Sequence, residues 1–299
     1  MALNFKTDMH FSYGVPTVMA DGIARLVAPN AGPLTFKGTN TYLVGTRSLA
    51  VIDPGPESAV HRDAILAAAN GRPITHIIIT HAHRDHTDGI DALVAATGAR
   101  TFAFRRANLT PEQGGDPHAE FVGHDFVADV HVADNDRIAG EDWALTALHT
   151  PGHAPDHLCL AIENQPIVFS GDHVMAWNTS VIAPPEGRMS DYLRSLERLL
   201  ARDDALLLPG HGGRIEEPKR AVKAYLLHRK WREQAILEAI RKGASSSRAL
   251  LPIIYRDLDP AVMGAAMMSL RAHIDHLAER ELITVSDGSS IADCEVRPL

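Results

Sequence analysis

Apolar residues along this chain recur in two rhythms, and the first 217 residues switch repeatedly between them. Runs rich in β-branched and apolar residues at 38–45, 48–55, 74–79, 143–150, 166–170 and 205–209 read as strands. The runs at 74–79 and 205–209 are apolar enough to read as buried. Helical spacing marks residues 57–70, 90–97 and 190–201. Gly98 ends the second of these, and Leu193, Leu196 and Leu200 share one face of the third. Residues 1–37 are weakly patterned apart from a turn at Asn30-Ala31-Gly32-Pro33. Residues 105–134 form a long irregular passage. Loops of that length inside a compact unit are usually functional, so this one is expected at the rim of a site. His118, His124 and His131 lie within it and read as surface residues.

From residue 218 the pattern changes. A long helix spans 219–241, and Ser245–Ser247 caps a short one that runs to Tyr255. Asp259-Pro260 opens a third, with Met263, Met267, Leu270, Ile274 and Leu277 in one stripe. Two short strands around Asp287-Gly288 then read as a hairpin. Three helices and a hairpin look like a winged helix. The expected division is therefore 1–217 for a catalytic unit and 218–299 for a helical linker with a winged-helix-like domain.

Composition places the chain among ordinary globular proteins: 299 residues, 45% hydrophobic and 22% charged. Its two cysteines, Cys159 and Cys294, follow no paired pattern, so no disulfide framework is indicated. The first residues lack the apolar core of a signal peptide, and no run of about 18 apolar residues suggests a membrane span. A cytoplasmic protein with no membrane partner is expected. The net charge of −8 is uneven, because residues 218–299 hold 13 Lys/Arg against 10 Asp/Glu. The remaining 217 carry the acidic excess. Arg271, His273 and Arg280 on the third C-terminal helix are thinly spread among acids. That charge pattern favours a packing module, or one that joins two copies of the chain, over a DNA reader.

The chemistry is concentrated in residues 80–89, which contain His81-x-His83-x-Asp85-His86. They lie on the turn from a buried strand into a helix. Alternate residues of an extended segment point the same way, so His81 and His83 can face one ion. Asp85 and His86, on the turn, reach a second ion beside it. Imidazoles with a carboxylate and no thiolate suit zinc, with manganese or iron as alternatives. The chain has 17 histidines, so a lone pair would mean little. Three at this spacing, straight after a buried strand, carry weight.

This motif resembles the signature of the metallo-β-lactamase superfamily. The resemblance implies an α/β fold, an αββα sandwich of two mixed sheets flanked by helices, with two ions between them. It further implies His153 in Thr150-Pro-Gly-His153 as the third ligand of the first ion, and Asp172 in Gly171-Asp172 as a bridge. His211 in Pro209-Gly-His-Gly212 completes the second ion with Asp85 and His86. Asp53 is expected to hold a ligand histidine through its other nitrogen. His149 and His157 read as supporting residues. His173 is expected to face away from the ions and to contact substrate.

Gly38-Thr-Asn-Thr-Tyr42, these motifs and His228-Arg229-x-x-Arg232-Glu233-Gln234 together resemble the β-lactamase-like protein 2 group over nearly the whole chain. His173 and the long loop at 177–187 depart from its animal members, which carry a Cys and a shorter loop. Those animal members are single-strand-specific endoribonucleases, whereas many bacterial relatives are metal-dependent hydrolases. The implied activity is hydrolysis by a metal-bound hydroxide, with Asp85 and Asp172 as the catalytic carboxylates. Single-stranded RNA is the first expected substrate, and a thioester, lactone or other acyl ester of a small molecule is the alternative. A non-enzymatic nucleic-acid-binding role, with the metal unit as scaffold, is a third reading.

Overall fold

Strand residues point alternately to two faces, and in the central strands of this chain both faces are apolar. The computed structural model describes residues 5–105, 126–256, 258–288, 290 and 293–299. One sheet runs in chain order through β1 (Thr17–Ala20), β2 (Ile23–Val27), β3 (Asn40–Val44), β4 (Leu49–Ile52), β5 (Ile74–Ile78), β6 (Arg100–Phe104) and β7 (Val130–Val132). Its first four strands are antiparallel, and β4 to β7 are parallel. The second sheet comprises β8 (Arg137–Ala139), β9 (Ala144–His149), β10 (Leu158–Ile162), β11 (Ile167–Gly171) and β12 (Leu206–Pro209). Its spatial order is β12-β11-β10-β9-β8, and only β11 and β12 are parallel.

Tyr42, Ala50, Ile52 and Ile78 of one sheet meet Leu158, Leu160, Phe169 and Leu208 of the other. The intervening Leu43, Val51, Ile77 and Ile79 face outward onto α1 (Ala59–Ala69) and α3 (Ile90–Thr97). The short α2 (Arg84–Thr87) precedes α3. On the far side, Cys159, Val168 and Leu207 pack against Tyr192 and Leu196 of α4 (Met189–Leu200). The result is the expected four-layer sandwich of two mixed sheets between helices. A one-residue slip in any central strand would exchange its two apolar faces, which pins the register.

The C-terminal part is built on α5 (Pro218–Arg241), α6 (Ser247–Ile254), α7 (Met263–Glu279) and the pair β13 (Ile283–Asp287) and β14 (Cys294–Pro298). The Ser246 side chain caps α6 by accepting from the Ala249 N–H at 3.2 Å. A bridge between Ser246 and Glu295 adds a third short pairing to the hairpin. Val222 and Tyr225 of α5 lie in the core shared with α4 and β10–β12. Ile236, Ala239 and Ile240, farther along, lie in the core shared with α6, α7 and β14. One helix thus enters both cores. Arg271 on α7 pairs with Asp275 and Asp287, Arg280 pairs with Glu233, and His273 is fully buried. Among the described residues no helix is long and apolar enough to cross a membrane.

Several expectations need correction. The weakly patterned residues 1–37 contain β1 and β2, whose apolar run is broken in sequence by Arg25. That guanidinium is buried and donates to the carbonyls of Gly212 and His10. The irregular passage contains β7, where His131 is exposed. His118 and His124 lie outside the described residues. The hairpin is longer than the Asp287-Gly288 signal implies, because Asp287 pairs with Cys294 rather than with a residue just past a two-residue turn. Cys294 and Val296 are the side chains the C-terminal core accepts, so packing sets the register.

His61 on α1 supplies a pH test of this packing. Thr41 Oγ1 donates to the Asp53 carbonyl at 2.6 Å, so it accepts from His61 Nε2 at 2.8 Å. His61 Nδ1 then has no partner among the described residues, and burial lowers the pKa from 6.5 to about 4. The unfolded chain binds this proton first on acidification. The stability contribution is therefore full above pH 6.5 and is lost as pH falls toward about 4. His61→Gln should flatten the fall of urea-denaturation free energy in that window by up to about 1.4 kcal/mol per pH unit. An unchanged slope would contradict a neutral buried His61.

Candidate metal centre

The C-terminal ends of β4, β5, β9, β11 and β12 are followed by Asp53, His81, His153, Asp172 and His211 respectively. These ends converge on one edge of the sandwich. There three groups of side chains bring their ligand atoms within 4.8 Å of one another: His81 with His83 and His153, Asp85 with His86 and His211, and His81 with His86 and Asp172. All seven residues expected from the motifs therefore meet, although they span 131 positions of the chain from His81 to His211.

The donor set fits a pair of cations. His83 Nδ1 stands 2.9 Å from His81 Nε2 and 3.0 Å from His153 Nε2. With His81 and His153 protonated at Nδ1, two Nε2 lone pairs converge on His83 Nδ1, which has at most one proton for both. About 3.3 Å separates nitrogens around a tetrahedral zinc with bonds of about 2.05 Å, close to what is seen. In the other group, Asp85 Oδ2 lies 3.1 Å from His211 Nε2 and 3.4 Å from His86 Nε2. Asp172 Oδ2 is 3.3 Å from His211 Nε2 and 3.8 Å from His153 Nε2, so its carboxylate stands between the two groups. His86 Nε2 and Asp172 Oδ1 are buried with no hydrogen-bond partner among the described residues.

Four of the five rings are turned by a partner on the far side. His86 Nδ1 meets Asp53 Oδ2 at 2.8 Å. Asp53 also receives the Thr80 hydroxyl at 2.7 Å, which leaves Thr80 Oγ1 to accept from His81 Nδ1 at 3.0 Å. One carboxylate thus sets two histidines. Asp53 does so from a left-handed backbone conformation (φ 53°), a strained position for a residue with a side chain. His153 Nδ1 donates to the Val181 carbonyl at 2.6 Å, and His211 Nδ1 to that of Gly38 at 3.3 Å.

Burial keeps His81 well below its ordinary pKa and brings His83 to about 3, so both stay neutral. Burial acts on His86 in the same direction, but Asp85, Asp53 and Asp172 overcome it and raise that ring to about 9. His211 is likewise raised well above its ordinary value, burial being outweighed by Asp172 and Asp85. Asp172 is held well below the carboxylate range, its burial outweighed by His211 and His86. These carboxylates draw positive charge to this side of the centre, where a dication would displace the ring protons.

Sequence patterns did not reveal the supports around these groups. Within Gly38-Thr-Asn-Thr-Tyr42, Thr39 donates to Asp85 Oδ2 at 3.1 Å, and Asn40 Nδ2 donates to the carbonyls of Pro209 and Gly212 at 2.8 and 2.9 Å. Tyr42 donates to Pro209 O at 2.7 Å. The motif was visible, but partners some 170 residues away were not. His157 Nε2 accepts from the Asp172 N–H at 3.1 Å and so holds that residue from behind, whereas His149 lies against Phe104. His173, expected to meet substrate, has no exposed surface; its ring sits 4.6 Å from that of Tyr192. Gly210 has no room for a side chain, since a Cβ would strike Asp172 Oδ1 and His86.

Comparison with known proteins agrees with this architecture. The family model described as "Metallo-beta-lactamase superfamily" matches residues 34–211, and "Beta-lactamase associated winged helix domain" matches residues 246–290. The chain is 29% identical over 285 residues to the beta-lactamase-like protein 2 homolog of Drosophila melanogaster, covering 90% of this chain and 92% of that one. It is 32% identical to the lactamase-like protein adaB of Aspergillus niger over 77% of this chain and 68% of that one. The crystal structure of a beta-lactamase domain protein from Burkholderia ambifaria superposes with a TM-score of 0.82 at 20% identity, covering 98% and 96% of the two chains.

Asp53→Asn tests the support of the rings. An Asn amide can donate to His86 Nδ1, which would move that ring's proton to Nε2 and remove it as a ligand. Divalent-metal affinity, measured by competition with a chromophoric chelator, should fall about 10- to 100-fold. Affinity equal to wild type would contradict this role for Asp53.

Proposed function

The chain belongs to the metallo-β-lactamase superfamily, and from that premise we propose a hydrolase that uses two adjacent divalent cations to cleave an ester, thioester or lactone of a small molecule. The observation that carries the proposal is the pair of ligand groups with Asp172 between them. His81, His83 and His153 would hold one cation, and Asp85, His86 and His211 the other. Zinc suits these donors best, and manganese or iron would also be accepted. Bound cations lower the pKa of water and polarise the oxygen of the bond to be broken.

The chain's own part is to orient and to exclude. Six of the seven residues are buried, whereas the Asp85 side chain is 27% exposed. Asp85 is therefore the carboxylate that meets entering solvent, and the Thr39 hydroxyl fixes its direction. It would orient the attacking water and take its proton. Behind it, Asp53, Thr80, His157 and the Val181 carbonyl hold the other groups still, so little reorganisation accompanies the reaction.

The choice of a small ester rests on charge. The basic residues of α7 are committed to partners within the chain or buried, and the catalytic part is strongly acidic. A polyanion binds through cations it can neutralise. Single-stranded RNA is the second reading, supported by the outer face of α5. There the exposed Trp231 and Leu227 stand among exposed Lys223 and Lys230, a pairing of ring and cation that suits unpaired bases.

The test uses zinc-loaded protein, a panel of thioesters and lactones, and a labelled single-stranded RNA. Ester turnover should fall more than about 100-fold in Asp85→Ala, beyond the range of losses seen when only a ligand's support is removed. RNA cleavage that disappears in the variant, with no ester turned over, would reverse the order of the two readings.

A further inference from the structure

The loop after β11, residues 172–182, carries two of the groups described above. Asp172 stands between the ligand sets, and the Val181 carbonyl orients His153. Helices from the C-terminal part hold this loop. The Tyr225 hydroxyl of α5 lies 2.6 and 2.5 Å from Met175 O and Asn178 O, which share its one proton, and accepts from the Met175 N–H at 3.1 Å. Ser269 of α7 accepts from the Ile182 N–H at 3.3 Å. One turn beyond Tyr225, Arg229 donates through Nη2 to the Ser180 carbonyl at 2.6 Å. The Ser180 hydroxyl lies 2.5 Å from the Asp172 carbonyl and 2.9 Å from that of His173.

Arg229 is an unusual residue in this place. It is 2% exposed, yet among the described residues no carboxylate pairs with it and its Nε has no hydrogen-bond partner. Its guanidinium carbon also lies 5.2 Å from the centre of the Tyr192 ring. Burial of a charge without a counter-charge costs stability, and a well-packed apolar side chain would avoid that cost. Arg232, one turn on, is used differently: it donates to the Ile254 carbonyl and lies over Tyr255, inside the C-terminal part.

We infer that Arg229 is a positioning residue for the metal centre, which makes the C-terminal helices a structural part of the site. It fixes the Ser180–Val181 peptide, and through it both the Ser180 tie to Asp172 and the carbonyl that orients His153. The inference rests on the metal-centre reading above, and the wild-type chain separates the two. If wild type binds no divalent cation, that reading fails. If wild type binds and the variants below bind equally, the inference alone fails.

The experiment measures Zn²⁺ affinity of full-length chains by chelator competition, with the absorption spectrum of the Co²⁺-loaded protein as a second readout. Arg229→Met should weaken binding about 10-fold or more and alter the Co²⁺ bands. Arg229→Lys, which keeps a donor for Ser180 O, should recover part of the loss. Ser180→Ala should weaken binding in the same direction, and it carries the test should Arg229→Met fail to fold. Arg232→Met is the control for loosening the C-terminal part and should leave affinity unchanged. Wild-type affinity in both Arg229→Met and Ser180→Ala would overturn the inference. An equal loss in Arg232→Met would overturn it too, because the effect would then come from general loosening.

Discussion

Five histidines and two aspartates direct ring nitrogens and carboxylate oxygens at one shared, largely buried space, and they can coexist there only if positive charge lies between them. The Nε2 lone pairs of His81 and His153 both point at His83 Nδ1 from about 3 Å, and Asp85 and Asp172 repel as like charges. Without a cation, the carboxylates hold protons on His86 and His211. Such an arrangement survives only in a frame stiff enough to prevent the side chains from turning away. Asp53 and Thr80 provide part of that stiffness, and the carbonyls of Gly38 and Val181 provide more.

The frame follows from the packing of the two sheets. Because alternate residues of β3, β4, β5, β10, β11 and β12 feed cores on both sides, none of these strands can shift by one position without forcing side chains fitted to one core into the other. Their ends are therefore fixed to within a fraction of a residue. The groups that follow β4, β5, β9, β11 and β12 inherit that accuracy, which loops alone would not supply. The close approach at Gly210 is one consequence, since the β12 turn comes so near Asp172 and His86 that only glycine fits.

The C-terminal part gives α5 a double allegiance. Its first turns belong to the core of the sandwich and its last to the core of the winged helix, and Arg229 lies between the two. Glu233, one turn beyond Arg229, accepts from His276 of α7 and from Arg280 just past its end. The segment His228-Arg229-x-x-Arg232-Glu233 thus joins the two cores, with successive charged residues serving the metal-site loop, α6 and α7.

Much of this protein was legible in its residues alone. The His81-x-His83-x-Asp85-His86 group could be read because its members are neighbours on one strand-to-helix turn, where period and turn geometry are local properties. The helix at residues 90–97 and the capped α6 were legible for the same reason. Arg25 hid β2, because a buried arginine inside a strand looks like solvent-facing sequence until Gly212 and His10 are brought to it. The length of the final hairpin was hidden because the core, not the turn, chooses Cys294 and Val296. Sequence by itself determined which residue types could bind a cation and on which elements they sit, since those depend on side-chain chemistry and short-range periodicity. Tertiary structure alone decided what turns and holds them: Thr39 against Asp85, Asn40 against Pro209, Arg229 against Ser180. Those bonds join segments as much as 169 residues apart, and a hydrogen bond over such a separation is set by how whole sheets and helices pack, which no local pattern encodes.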